Sequence, residues 1–276
     1  MAVSGFSFAL MGVLVKQLSA NFSSIELVFY RSVFNLALIG VWLRFQGVAF
    51  FPPGRKILLF RGVWGFLGLL SYFYSLSVLP LSLAALLVHC APIFVLVVGM
   101  GFLGERISGL QCASIFGALV GLGLLLQADL QKLAGPGILV GVASALFLAL
   151  AQVTVRASVG RFPKVLIVFY LVSTSTLLSL PILLMRGSRA PELSEIPMLF
   201  AMSLAAAGGQ IASTHAFVFA PAAVVSAGGS FNAVFPVLFG AAFLGESLAP
   251  PQWAGAILLM TAILGLTLRH PEPTKE

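Results

Sequence analysis

Apolar residues gather in ten long runs, near residues 2–18, 26–45, 57–78, 80–103, 108–128, 136–156, 164–186, 196–219, 221–244 and 250–269. A helix crosses the hydrocarbon of a bilayer with about 20 apolar residues, and each run is close to that length. The breaks are short and carry turn residues. Residues 45–56 include Pro-Pro-Gly, residues 127–137 hold Asp129, Lys132 and a Gly-Pro pair, and the most polar stretch is 186–197. The narrowest breaks fall at Pro80 and Pro221, and proline suits the first turn of a following helix. The runs do not alternate polar with apolar residues, as membrane barrel strands do, and lipid tolerates only barrels and helices. The pattern therefore predicts an all-α integral membrane protein with ten transmembrane helices.

Composition agrees. Hydrophobic residues fill 60% of 276 positions and charged residues 8%, against about 25% charged in soluble domains. One soluble core could not bury that much apolar surface. The net charge of +7 is spread too thinly for a nucleic-acid surface and is better read as an orientation signal. With the N-terminus inside, the inner loops and tail hold Arg44, Arg55, Lys56, Arg61, Arg106, Arg156, Arg161, Lys164, Arg269 and Lys275. The outer loops hold only Lys16, Lys132, Arg186 and Arg189. Both termini are thus expected in the cytoplasm, with the protein in the inner (plasma) membrane of a bacterium. The first run is one of many and no cleavable signal. It is short and has almost no leader, as expected if the numbering begins late in a longer chain. Cys90 and Cys112 sit in apolar runs and make neither a disulfide framework nor a metal spacing.

The chain repeats itself. "FLGERIS" at 102–108 returns as "FLGESLA" at 243–249, an offset of 141 residues that also pairs Pro80 with Pro221 and Gln111 with Gln252. At an offset of 140, "ALMGVLVK" (9–16) matches "ALAQVTVR" (149–156), and Phe-Tyr at 29–30 matches Phe-Tyr at 169–170. Two five-span units are implied, 1–130 and 136–269, with a cytoplasmic tail at 270–276. Five is odd, so the second unit enters the membrane from the opposite side, the inverted-repeat plan of many transporters. Gly104 and Gly245 are expected to end helices in the left-handed conformation. Glu105 and Glu246 then fall at the N-terminus of the next helix, which favours negative charge. In the first copy Ser108 and Gln111 have capping-box spacing, while in the second Pro250 and Pro251 start the helix. Placed at span ends, the two glutamates are gating or helix-locking candidates rather than catalytic groups.

"SSIELVFYRSVFNLAL" (23–38), "HCAPIFVLVVGMGFLGERIS" (89–108) with Pro92, and the Gly-Glu pairs followed by Gln six residues later run in an order that resembles the drug/metabolite transporter superfamily, EamA type. The resemblance covers nearly the whole chain. It implies transport of small organic metabolites through a cavity among the third, fourth, eighth and ninth spans, with help from the first and sixth. One position departs: at the 141 offset Pro92 meets Ala233, and the nearest proline is Pro236.

Polar groups deep in a membrane are costly and so are functional candidates. His89 stands three residues before Pro92, which frees a backbone carbonyl one turn earlier. It reads either as a solute ligand or titrating group, or as a histidine satisfied by a neighbouring helix. Gln210, Ser213, Thr214 and Phe217 share one face of the eighth span, suited to a cavity or to interhelical hydrogen bonding. Asn232, Ser230 and Gln152 are further substrate-binding candidates. Trp64 and Tyr72, near Gly68, suit a flat organic solute or plain packing. Arg31 lies inside the second span, with Leu171 at the equivalent position of the second half. It is placed to attract an anion or to pair with Glu26. Coupling or gating candidates are His89, Arg31, Glu105 and Glu246.

None of the eight acidic residues falls at mid-depth, which argues against a carboxylate proton relay, a sodium site or a metal site. No phosphate loop or cofactor motif is present. The weakly charged, aromatic-lined cavity leans toward a neutral or zwitterionic solute: an amino acid, a nucleoside-like cofactor or a vitamin. An enzyme acting on a lipid-linked substrate would need paired carboxylates, a metal cluster or a nucleophile with its base. A channel would need a polar pore ring. Gly117 and Gly121 have small-xxx-small spacing, which serves helix packing or a homodimer. The expected function is secondary transport by alternating access, without enzymatic activity.

Overall fold

The computed structural model describes residues 2–103, 136–219 and 234–267, together with positions 113–114, 116–117, 120–121 and 124. Glu105, Ser230 and Asn232 lie outside the described residues, as do most of the fifth run and the first half of the ninth. The helices are α1 (Ala2–Leu18), α2 (Ser24–Phe45), α3 (Lys56–Val78), α4 (Leu81–Val88), α5 (Ala91–Leu103), α6 (Pro136–Ser158), α7 (Lys164–Arg186), α8 (Ile196–Phe219), α9 (Val234–Leu244) and α10 (Pro250–Thr267). Among the described residues there is no strand beyond one isolated bridge, Val159 to Phe162. Among the described residues five helices, α2, α3, α6, α7 and α8, are long and apolar enough to cross a membrane. The segments Ala2–Leu18, Leu81–Val95 and Val234–Leu244 are shorter apolar pieces. The protein is all-helical and integral to the membrane.

The fourth run differs most from expectation. It is two helices, not one. Pro92 has no N–H to give and its ring clashes with the carbonyl four residues back, so α4 stops at Val88 and α5 starts at Ala91. The junction is closed by tight turns, with Cys90 N donating to Leu87 O at 3.1 Å and Ile93 N to Cys90 O at 3.0 Å.

Helix ends follow local chemistry. Before α2, the backbone N–H and hydroxyl of Ser23 donate to Glu26 Oε2 at 2.8 and 2.7 Å, the reciprocal half of a capping box. Glu26 Oε1 accepts the Arg189 N–H at 3.1 Å. These partners occupy Glu26, and the expected alternative in which it pairs with Arg31 is not formed. Gly245 has φ 65°, the left-handed helix end predicted for it.

The helices of the two halves interleave. α3 packs on α6 and α7, α1 on α8 and α9, α2 on α7 and α8, and α4 and α5 on α6. Exchanging α1 with α6, α2 with α7, α3 with α8, and the α4–α5 pair with α9 turns each of these pairings into another on the same list or into itself. Close approach depends on glycine. A Cβ on Gly68 would lie 2.9 Å from the Leu148 side chain of α6, and one on Gly121 would lie 2.7 Å from Leu259 N of α10. The Gly117–Gly121 stripe therefore packs on α10 of the same chain.

Candidate functional site

A cavity of about 190 Å³ lies where α1, α3, the α4–α5 junction, α6, α8 and α9 meet. The broken fourth span delivers Val88, His89, Ala91 and Pro92 to its wall. α8 delivers Gln210, Ser213, Thr214 and Phe217 on the one face that its periodicity predicts. Gln152 of α6 and Tyr72 of α3 complete the predicted residues found there, and Phe8 and Met11 of α1 add apolar surface. The Thr214 hydroxyl donates back to Gln210 O at 2.8 Å, which leaves its oxygen as an acceptor. Ser4 of α1 donates to Gly209 O of α8 at 2.9 Å and ties the two walls together.

Trp64 is elsewhere. Its ring stacks on Phe147 of α6, 6.1 Å between centroids and 13° between planes. The Trp64–Gly68 line is the face that packs α3 on α6. His215, rotated off the α8 stripe, is exposed and lies 5.1 Å from the Phe219 ring.

The wall also contains a residue that the sequence reading had counted among the inner loop charges. Arg61 sits in the second turn of α3, lines the cavity and is 5% exposed. Its signal was available, since it falls within an apolar run, as Arg31 does. Gly65, one turn on, leaves room for its guanidinium, which would clash with any Cβ there. Arg31 of α2 is 1% exposed. Among the described residues, Nε and Nη1 of both arginines have no hydrogen-bond partner, and neither has Oε1 of Gln152. The expectation of a weakly charged cavity is corrected by Arg61. The ion pairs found among the described residues join Arg189 to Glu192 and Glu195, at 2.6 and 3.5 Å, and involve neither buried arginine.

Glu246 is placed differently. It was expected at the start of its own next helix, and instead it caps α4 in the other half. Its carboxylate accepts the backbone N–H of Leu81 at 2.6 Å, the N–H of Ser82 at 3.0 Å and the Ser82 hydroxyl at 2.8 Å. The short loop after Gly245 swings it there, and a Cβ on Gly240 would come 2.7 Å from its Oε2. The start of α10 is served by Gln252, whose Oε1 accepts the Ala249 N–H at 2.9 Å. Nearby, Lys16 Nζ donates to Leu79 O at 2.7 Å. Its repeat partner Arg156 donates to Phe217 O at 3.1 Å, at the far end of the bundle. Among the described residues no three His, Cys, Asp or Glu side chains are grouped to hold a metal ion.

The EamA-like transporter family matches residues 1–127 and 135–268. The pseudopaline exporter of Pseudomonas aeruginosa (strain UCBPP-PA14) is 32% identical over 265 residues, covering 96% of this chain and 93% of the relative. The riboflavin transporter of Rhizobium johnstonii is 26% identical over 269 residues, covering 96% and 88%. The S-adenosylmethionine uptake transporter of Rickettsia felis is 23% identical over 171 residues, covering 62% and 58%. A crystal structure superposes on 97% of this chain and 96% of its own with a TM-score of 0.66 at 19% identity, a likeness of fold.

Proposed function

The chain belongs to the EamA-like transporter family, and we propose that it carries a small organic metabolite across a bacterial inner membrane by alternating access between two inverted halves, 1–130 and 136–269. The observation that carries this is the cavity itself. It lies between the halves, where α1, α3 and the α4–α5 junction of one meet α6, α8 and α9 of the other, as expected of a repeat transporter. The helix pairings support ten spans in two related units, because exchanging equivalent helices reproduces them. With the basic residues inside, both termini are cytoplasmic, and the Glu246–α4 contact and the Lys16–Leu79 contact close the outer end. The wall is drawn largely from the inner halves of α1, α6 and α8, as in a state facing the cytoplasm. The relatives named for pseudopaline, riboflavin and S-adenosylmethionine point to a metabolite with both polar and apolar parts. The wall offers both: Gln152, Gln210, Ser213 and Thr214 for hydrogen bonds, Phe8, Met11 and Phe217 for an apolar body.

The test is thermal unfolding of the purified protein against amino acids, nucleoside cofactors and vitamins, since a ligand of the folded state raises its apparent stability. A selective rise that is lost in Gln210→Ala is the expected result. A selective rise that Gln210→Ala and His89→Ala both leave intact would move the binding site away from this cavity.

A further inference from the structure

We propose that the cavity takes an organic acid and that Arg61 holds its oxyanion group. The inference rests on the transporter reading and narrows its solute. Arg61 is buried and lines the cavity, and among the described residues nothing hydrogen-bonds its Nε and Nη1. A guanidinium presents its N–H groups as a fork that fits a carboxylate or phosphate through two parallel hydrogen bonds. A cation inside a membrane protein is expensive unless something answers its charge. Here the described carboxylates are committed elsewhere: Glu26 to Ser23 and Arg189, Glu246 to α4, and Glu192 and Glu195 to the loop around Arg189.

Arg31 makes the case stronger. Arg31 is buried as well, with its Nε and Nη1 unpartnered among the described residues, and a second buried positive charge adds to the attraction for an anion. Arg31 does not line the cavity, so it acts on the site through the charge that it adds behind Arg61. The rest of the wall then sorts itself along the solute. Gln210 and Ser213 on α8 offer it polar partners, and Phe217 and Met11 offer apolar surface.

The experiment is thermal unfolding of the full chain in a neutral detergent, with sodium succinate, inorganic phosphate or sodium chloride at equal ionic strength. The expected result is a saturable rise with an oxyanion and none with chloride. The succinate and phosphate arms tell a carboxylate site from a phosphate site. In Arg61→Gln the rise should vanish, while the unfolding temperature without anion stays at or above that of the wild type, because an unpaired buried charge has gone. Arg61→Lys keeps the charge but loses the fork, and should need roughly tenfold more anion for the same rise. The inference is overturned if the wild type gives no oxyanion-specific rise, if Arg61→Gln responds as the wild type does, or if Arg61→Gln unfolds earlier without anion. Selective stabilisation by a neutral solute alone would sink the anion site and leave the transporter intact.

Discussion

Glu246, half-buried at one end of an apolar bundle, and Arg61, buried at its cavity, are charges that the bundle treats in opposite ways. Glu246 accepts two backbone N–H groups and one hydroxyl from α4 at 2.6–3.0 Å. Arg61 has two nitrogens with no partner among the described residues, and Arg31 repeats the pattern. The first arrangement is finished by the chain itself. It joins the two halves at one end, where a helix N-terminus and a carboxylate answer each other. The second is unfinished, and it opens on the cavity. The contrast separates polar groups that hold the bundle together from polar groups that wait for a partner.

The comparison can be broken in several places. Glu246→Ala should have the largest effect, since it strips three charge-assisted hydrogen bonds from the start of α4. At about 3 kcal/mol lost, unfolding in detergent should come earlier by roughly 5–10 °C. If the variant unfolds with the wild type, Glu246 is no joint. Gly121→Leu comes next, because overpacking against α10 costs about 1–3 kcal/mol. The same unfolding assay reads it, and an unchanged midpoint would place the stripe outside the packed interface. Gln210→Ala should weaken binding of a stabilising solute about tenfold and move the ligand-free midpoint by less than ~2 °C, as expected for one lost hydrogen bond to the solute. Trp64→Leu sharpens the contrast from the other side. It disrupts the stack on Phe147, with a modest loss of stability of about 1 kcal/mol, and should leave solute affinity as it was. A change in affinity there would put Trp64 back at the site.

Much of this was legible in the sequence, for physical reasons that differ by residue. The α8 stripe was readable because Gln210, Ser213, Thr214 and Phe217 recur at helical spacing, and spacing alone puts them on one face. A weak point in the fourth span was readable from Pro92, whose missing donor acts on its own helix. The length of the consequence was not, since a freed carbonyl does not say whether a helix bends or splits. Trp64 and Tyr72 could not be told apart. Both are aromatic and both lie on α3, and only the neighbour decides: Phe147 of α6 takes one, the cavity takes the other. Glu246 was read as serving its own helix because sequence reveals local partners first, whereas Leu81 and Ser82 are far away in the chain. Arg61 was missed through its position. It falls inside an apolar run, as Arg31 does, but a basic residue near a span end also reads as an orientation signal, and that reading hid it. Glu105, Ser230 and Asn232 keep the roles proposed from sequence alone.

The central claim is that the cavity between the halves carries the solute. Counterflow in proteoliposomes tests it most directly, with a labelled solute identified by thermal unfolding and the wild type set beside Gln210→Ala and Trp64→Leu. The account predicts saturable, stereoselective exchange by the wild type and Trp64→Leu, with Gln210→Ala needing about tenfold more solute for half-maximal exchange. Exchange that Gln210→Ala supports as well as the wild type, or flux that never saturates, would contradict it.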